Sequence, residues 1–233
     1  MTVEFRAKAS NGEIWLYDQI GQSMWGDGIS AKAFQKELSA MGRVTNISVR
    51  INSPGGDVFD GFAIYSQLQQ HPANISVSVD GVAASIASII AMAAGKGRLA
   101  MAKNALMMVH DPSGVAIGGE SEMMRVASLL RTIKGNLADT YVTRTGNKRT
   151  AVDAWMADET WFTAESAIQN GFADVMTAES TVTACFDPSP FRNVPDWLKR
   201  QMKDSANEKR PAMELWRERI AEQRKRVAAV CRA

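Results

Sequence analysis

Residues 47–94 read ISVRINSPGGDVFDGFAIYSQLQQHPANISVSVDGVAASIASIIAMAA and alternate between strand-like and helix-like patterns. Residues 47–51 and 75–79 alternate apolar and polar side chains, which is typical of half-buried strands. Residues 58–70 repeat apolar side chains at helical spacing, and the small and apolar residues 82–94 predict a buried helix. Strands that alternate with helices in this way predict βαβ units and a largely parallel sheet, hence an α/β fold.

The alternation continues on both sides of this segment. Strands are predicted over residues 13–20 and 105–109, and helices over residues 29–41, 120–145 and 164–170, before a last strand that ends near Val175. The helix of residues 120–145 is long for a domain of this size. We therefore expect it to project and to pack against a neighbouring subunit, a long internal helix being the alternative.

The composition limits the class of protein. With 233 residues, 45% hydrophobic and 22% charged, the chain is of ordinary globular type, which excludes disordered, collagen-like and small disulfide-stapled proteins. The longest apolar run, residues 82–94, is shorter than the roughly 20 residues of a membrane span, and the N-terminus has no secretory-signal pattern. Cys185 and Cys231 lack CxxC spacing, so free thiols are favoured over a disulfide. We expect a cytoplasmic protein without membrane association.

The composition changes after Cys185, where residues 187–190 (DPSP) indicate a linker. This predicts one domain over residues 1–185 and an extension, helical or disordered, over residues 186–233. Residues 192–233 contain 12 Lys+Arg and 6 Asp+Glu, so the net charge of +2 for the whole chain combines a tail of +6 with a remainder of −4. The tail is therefore expected to bind an acidic partner, whereas nothing indicates nucleic-acid binding by the domain.

Two residues are candidates for nucleophilic catalysis. Ser85 lies in GVAASI, between a strand and an apolar helix, where free N–H groups and small neighbours suit a nucleophile beside an oxyanion hole. A helix-capping serine is the alternative. The chain has only 2 His, and His110, which follows a strand, is a better general base than His71, which precedes a proline in a polar stretch. The alternative for His110 is a strand-end histidine satisfied by backbone groups.

A paired glycine turn, SPGGD (53–57), connects a strand to a helix. Gly55 and Gly56 let the backbone approach a ligand or present an N–H group to an anion, although a tight βα turn explains them equally well. Neither a P-loop lysine nor GxGxxG is present in the sequence, so nucleotide binding is unsupported.

Four blocks, INSPGGDVFDGFAIYSQLQ, GVAASIAS, MMVHDP and ETWFTAESAIQNGFAD, resemble in order and spacing those of ClpP-like serine peptidases, over roughly residues 13–175. The resemblance implies a ClpP/crotonase-like βαβ superhelix. It also implies peptide hydrolysis through an acyl-enzyme, with no metal or other cofactor.

The resemblance assigns roles to individual residues. Ser85 matches the nucleophile and His110 the general base, and the N–H groups of Gly56 and Ile86 match the oxyanion hole. The third triad member falls on Glu159, where the family usually has Asp, and the adjacent Asp158 is the competing candidate. Extended substrate is expected to pair with residues 112–119 and with the helix start by strand addition. The substrate-binding candidates are Asp57, Val58, Gly114 and Val115, around an apolar first pocket.

The block of residues 17–38, YDQIGQSMWGDGISAKAFQKEL, resembles the phage-encoded head-maturation (prohead) proteases. This implies scaffold and capsid proteins as substrates, a homo-oligomer built as a heptameric ring or stacked rings, and a place in the host cytoplasm or inside the prohead. The alternatives are a proteolytic subunit that works with a ring ATPase and a non-catalytic capsid assembly protein. A crotonase-like acyl-CoA enzyme ranks last, because such enzymes do not need this Ser/His/acid spacing.

Overall fold

The computed structural model describes residues 3–8, 10–23, 26–181, 191–196 and 198–199. The chain divides into two units, Met1–Phe186 and Asp187–Ala233. Cys185, Cys231 and residues 200–233 of the basic tail lie outside the described residues. The predictions of free thiols and of a helical or disordered tail therefore remain predictions.

The first unit is a mixed α/β structure, which confirms the fold class predicted from the sequence. In chain order its elements are β1 (Val3–Lys8), β2 (Asn11–Leu16), β3 (Gln22–Ser23), β4 (Gly26–Asp27), α1 (Ala31–Ala40), β5 (Asn46–Ser53), α2 (Val58–Gln70), β6 (Asn74–Ala84), α3 (Ile86–Ala91), β7 (Leu99–Ala102), β8 (Leu106–Val109), α4 (Glu120–Thr145), α5 (Arg149–Ala157), β9 (Thr160–Thr163), α6 (Ala164–Gln169) and β10 (Val175–Thr177). No helix among the described residues is long and apolar enough to cross a membrane.

The main sheet has eight strands and branches at β6. Its principal order is β1-β2-β5-β6-β7-β10, while β8 pairs with β6 and carries β9 on its other side. All pairs are parallel except β1–β2 and β8–β9. Because β7 pairs with the first half of β6 and β8 with the second half, the carboxyl end of β6 continues beyond β7.

The buried faces follow the alternation of the sequence. In β5, Ile47, Val49 and Ile51 are fully buried, while Ser48 and Arg50 face the partly exposed side. The period of two places every second side chain on one face of the strand, so apolar residues at this spacing form one continuous core layer. The predicted strands at residues 47–51 and 75–79 are both confirmed, and each is longer than predicted.

The prediction of one helix over residues 82–94 is wrong at both ends. Residues 82–84 belong to β6, where they pair with β8, and α3 covers only Ile86–Ala91. The sheet offers hydrogen-bond partners on the β8 side, and small side chains fit this close pairing, so the backbone stays extended up to Ala84. The strand-to-helix junction therefore falls at Ser85.

Helix α4 has two different halves. Its bounds are those predicted from the sequence, and Ile133, Leu137 and Tyr141 in the second half are buried in the core. In the first half, the apolar side chains of Met123 and Met124 are exposed. Packing of this exposed half against another subunit remains a prediction.

Candidate active site

Ser85 occupies the junction between β6 and α3 in a strained backbone conformation. Its φ is +55° and its ψ is −130°, which is unusual for a residue other than glycine. The backbone N–H of Ser85 donates a 3.0 Å hydrogen bond to the carbonyl oxygen of Met108 in β8. The side chain makes no capping hydrogen bond to α3, in contrast to the helix-cap alternative. Strain of this kind persists only where the surroundings hold it, and it is concentrated at functional sites.

His110 follows the last residue of β8 and faces Ser85. The parallel register pairs Ala84 with Met108, so the carboxyl ends of β6 and β8 lie at the same edge of the sheet. From these ends, His110 Nε2 lies 2.7 Å from Ser85 Oγ. This is hydrogen-bond distance, and it is the geometry that a general base needs to take the serine proton.

Glu159 lies beside the same strand end. The antiparallel register of β8 and β9 pairs Val109 with Thr160, so one step further along it His110 is opposite Glu159. The side chain of Glu159 is only 3% exposed, whereas Asp158 is exposed. Glu159 has a φ of +50°, in the left-handed region that is uncommon for residues other than glycine. A buried carboxylate at this place fits the third member of a triad better than the exposed Asp158 does.

The glycine turn between β5 and α2 packs directly against Ser85. A Cβ atom on Gly55 would lie 2.6 Å from the carbonyl oxygen of Ala84, 2.7 Å from Ser85 Cβ and 3.1 Å from the backbone nitrogen of Ile86. A Cβ atom on Gly56, whose φ is +142°, would lie 2.1 Å from the carbonyl oxygen of Ile20. Both positions therefore require glycine, and the turn reaches the peptide that follows the candidate nucleophile.

The two predicted oxyanion-hole donors line the cleft that contains Ser85 and His110. Ile86 is the first residue of α3, so its N–H group has no acceptor within the helix. Gly56 belongs to the turn that packs against Ser85 and Ile86. Two backbone donors beside a serine nucleophile are the arrangement that stabilises a tetrahedral oxyanion.

The cleft extends from Ser85 into an apolar pocket of about 380 Å³. Helix α4 lines this pocket with six side chains, Val126, Leu129, Leu130, Ile133, Leu137 and Tyr141. Apolar lining and a few polar groups at one end are typical of a site that binds an apolar side chain next to the reacting atoms.

All four predicted substrate-binding residues line the cleft, but the polar groups of Asp57 are used within the fold. Val58, Gly114 and Val115 line the cleft, and Val115 is 88% exposed at its rim. Asp57 also lines the cleft. Its carboxylate, however, caps α2 by accepting hydrogen bonds from the backbone N–H groups of Phe59 and Asp60, at 2.9 and 2.8 Å. The N–H of Asp57 donates to the carbonyl oxygen of Ile20. The carboxylate and the N–H of Asp57 therefore stabilise the start of α2 and the glycine turn.

His71 and Asp111 make hydrogen bonds and ion pairs outside the Ser85–His110 pair. His71 ends α2, and its Nδ1 accepts a 3.1 Å hydrogen bond from the backbone of Ala73. Asp111, next to His110, pairs with Lys134 of α4 at 2.8 Å. Within the described part of the chain, no group of three or more His, Cys, Asp or Glu side chains could hold a metal ion.

Sequence reasoning missed two polar residues behind the nucleophile. Ser88 Oγ lies 2.5 Å from the carbonyl oxygen of Ser85 and 2.7 Å from Tyr141 Oη, and both side chains are buried. The available signal was a serine within the apolar run of α3. Tyr141 is one of the apolar positions within the helix predicted over residues 120–145.

Comparisons with known proteins agree on one family. A family model described as Clp protease matches residues 9–180. ATP-dependent Clp protease proteolytic subunit 1 of Protochlamydia amoebophila is 34% identical over 126 residues, which are 53% of this chain and 61% of that protein. Subunit 1 of Leifsonia xyli is 32% identical over 171 residues, 73% of this chain and 85% of that protein. Subunit 2 of Mycolicibacterium paratuberculosis is 31% identical over 147 residues, 63% of this chain and 74% of that protein.

Proposed function

The chain belongs to the Clp protease family of serine peptidases, and from this premise we propose that it is an endopeptidase with Ser85 as nucleophile, His110 as general base and Glu159 as the third triad member. One observation carries the proposal, namely the 2.7 Å separation of Ser85 Oγ and His110 Nε2 in a cleft. A serine hydroxyl is a weak nucleophile, and a base at this distance is what activates it.

The reaction follows from this arrangement. His110 Nε2 takes the proton of Ser85 Oγ as the oxygen attacks a peptide carbonyl, and the resulting oxyanion accepts hydrogen bonds from the N–H groups of Gly56 and Ile86. His110 then gives its proton to the leaving amine, which leaves an acyl-enzyme. Water, activated by His110, hydrolyses that ester. Glu159 orients the imidazole and stabilises its cationic form.

Substrate enters along the rim of the cleft. We place an extended peptide against residues 112–117, which have no regular secondary structure, with an apolar side chain next to the scissile bond in the pocket under α4. Main-chain pairing of this kind gives affinity, while the pocket selects the side chain. The substrate-binding residues are Val58, Gly114 and Val115, with Asp57 contributing through its position at the start of α2.

For the biological role we propose the head-maturation branch, in which the enzyme cleaves scaffold and capsid proteins in the host cytoplasm or the prohead. The resemblance of residues 17–38 to that branch supports this role, as does the basic extension, which suits an acidic scaffold. The protein is expected to assemble as a ring or stacked rings. The similarity to proteolytic subunits of ATP-dependent Clp proteases favours a second candidate, a subunit that works with a ring ATPase.

Labelling with a fluorophosphonate tests the chemistry. The full chain should be labelled, Ser85→Ala should abolish labelling, and Ser76→Ala should not change it, since Ser76 Oγ only donates to the carbonyl oxygen of Ile47. Labelling that persists in Ser85→Ala would contradict the nucleophile assignment, and an unlabelled wild type would favour the assembly protein. Cleavage of a folded substrate only with a ring ATPase and ATP would favour the second candidate, whereas cleavage of scaffold without ATP would favour the first.

A further inference from the structure

The carbonyl oxygen of Ser85 is held by two hydrogen bonds from one residue. Ser88 donates to it from its backbone nitrogen at 3.0 Å and from its hydroxyl at 2.5 Å. The Ser88 hydroxyl is also 2.7 Å from the Tyr141 hydroxyl, which reaches it from α4, 53 positions away in the sequence. Ser88 is 0% exposed and Tyr141 is 2% exposed, so water does not compete for these bonds.

The direction of each hydrogen bond is fixed by the number of hydrogens. A carbonyl oxygen only accepts, so the single hydrogen of the Ser88 hydroxyl is used on Ser85. The Ser88 oxygen must then accept from Tyr141, whose phenol has one hydrogen to give. Burial raises the pKa of Tyr141 well above its ordinary value, which keeps the phenol protonated and able to donate. The result is a chain of two hydrogen bonds, called the relay below, in which Tyr141 donates to Ser88 and Ser88 donates to the carbonyl oxygen of Ser85.

The relay acts on the peptide that carries a predicted oxyanion-hole donor. The carbonyl of Ser85 and the N–H of Ile86 belong to one planar trans peptide, in which the two groups point in opposite directions. Because Ser88 draws the carbonyl along the axis of α3, the N–H of Ile86 points out of the first turn. The Gly55 turn lies close to this group, since an ideal Gly55 Cβ would be only 3.1 Å from the Ile86 nitrogen.

The relay lies where the backbone needs support. Ser85 has a φ of +55°, and such a conformation survives only if neighbouring contacts determine the orientation of the adjoining peptides. The N–H on one side of Ser85 is bound by the carbonyl of Met108, and the carbonyl on the other side by Ser88. Only the second bond involves side chains, and both side-chain hydroxyls are buried among apolar residues. A buried hydroxyl without such a use would be unfavourable.

We propose that Ser88 and Tyr141 are positioning residues, which hold the Ser85–Ile86 peptide so that the Ile86 N–H is ready to stabilise the oxyanion. The proposal rests on the proposed function, because it assigns a role within that same site. Neither residue contacts the reacting atoms in this scheme. Their effect is on the transition state, in which the oxyanion is formed, and substrate binding depends on it far less.

The first test separates turnover from binding. Ser88→Ala removes the hydroxyl and Tyr141→Phe keeps the ring while it removes the donor, so the apolar pocket keeps its shape. We expect Ser88→Ala to lower kcat and the fluorophosphonate labelling rate about tenfold, the equivalent of one hydrogen bond, with KM nearly unchanged. Tyr141→Phe should lower both rates about threefold, since Ser88 still donates but is no longer oriented.

Matched controls exclude a general effect of losing a hydroxyl. Ser76→Ala removes another serine that donates to a strand carbonyl, and Tyr65→Phe removes another partly buried phenol of the same unit. Both controls should keep the wild-type labelling rate. If Ser88→Ala does not fold, Tyr141→Phe decides the question by itself, because its packing is retained.

A double-mutant cycle identifies the relay. If Tyr141 acts through Ser88, Tyr141→Phe should have no further effect in the Ser88→Ala background. Wild-type rates in both single variants, independent losses that multiply in the double variant, or a rise in KM without a fall in kcat would each overturn the proposal. Failure of the proposed function is distinguishable, because then the wild type is not labelled or Ser85→Ala still is.

Discussion

His110 Nε2 and Ser85 Oγ lie 2.7 Å apart because each residue directly follows one of two strands, β8 and β6, that are hydrogen-bonded neighbours. The pair is therefore a property of the sheet, and it does not depend on a flexible loop. A site at the carboxyl edge of parallel strands also includes the first turn of the following helix, as it does here with α3.

His110→Gln should abolish the activation of Ser85. The amide has no basic nitrogen, and general-base catalysis contributes about 10²- to 10⁴-fold, so the labelling rate should fall by that range. His71→Gln is the matched control, because its ring only accepts a hydrogen bond from the backbone of Ala73 and should leave labelling unchanged. Equal losses in the two variants would contradict the assignment of the base.

Glu159→Gln should be far more damaging than Asp158→Asn. The register of β8 and β9 places Glu159 opposite His110, and a neutral amide there neither holds the imidazole in the right tautomer nor stabilises its cation. We expect a loss in kcat of at least about 100-fold for Glu159→Gln and a change below about threefold for the exposed Asp158→Asn. The measurement is peptide hydrolysis under saturating substrate. Loss of activity in Asp158→Asn together with an active Glu159→Gln would identify Asp158 as the third triad member.

The fold could be predicted where a segment carries a strong period of its own. Helices α2 and α4 have the predicted bounds, because each repeats apolar or small residues over several turns. Strands β1, β3, β4, β7 and β9 and helix α5 were missed. Strands β7 and β9, LAMA and TWFT, show no clear alternation, and they are strands because the neighbouring strands complete their hydrogen bonds.

The site could be predicted only where its residues lie close to a recognisable turn. Small residues and glycines around Ser85 and Gly56 are visible in the sequence. His110 was a candidate base because the chain has only 2 His, and the resemblance added Glu159. The link from Tyr141 to Ser88 joins residues 53 positions apart and depends on how α4 crosses α3. The spacing of residues along the chain therefore does not predict this contact.

Gly56→Ala should impair both folding and activity. The added methyl would lie 2.1 Å from the carbonyl oxygen of Ile20 at a φ of +142°, so the turn must move and the Gly56 N–H moves with it. We expect a loss of at least about 2 kcal/mol in the free energy of unfolding, measured with denaturant, together with a loss of labelling.

Gly42→Ala is the control for the glycine turn. Gly42 also has a positive φ, +68°, but a Cβ atom there meets nothing within 4 Å. Its cost should be limited to backbone strain, about 1 kcal/mol, with labelling unchanged. Similar effects in the two variants would show that the close approach to Ile20 is unimportant.

The Lys134–Asp111 ion pair should connect α4 to the segment that follows His110. Lys134 Nζ lies 2.8 Å from Asp111 Oδ2, and both side chains are about one-third exposed, which limits the strength of the pair. Lys134→Met should lower the free energy of unfolding by about 1 kcal/mol at low salt and less at 1 M salt. Combined with Asp111→Asn, the loss should be smaller than the sum of the two single losses. Additive, salt-independent losses would contradict a coupled pair.

The basic extension should bind an acidic polymer. This binding should depend on the positive charges of the extension and not on the total charge of the chain. Residues 192–233 contain 12 Lys+Arg against 6 Asp+Glu, so changing Lys203, Lys209 and Lys225 to Glu removes the net charge of this segment. Binding of the full chain to polyglutamate should then be lost, and in the wild type it should weaken strongly between 0.1 and 1 M salt, where the screening length falls from about 10 to about 3 Å.

The matched variant changes Lys32, Lys36 and Lys148 of the first unit to Glu, which alters the total charge by the same amount. These side chains are exposed, so the fold should tolerate the change. We expect this variant to retain most of the binding, because its tail keeps the net positive charge. Equal losses in the two variants would mean that total charge alone governs the interaction. Binding that does not weaken with salt would mean that the tail is not an electrostatic docking segment.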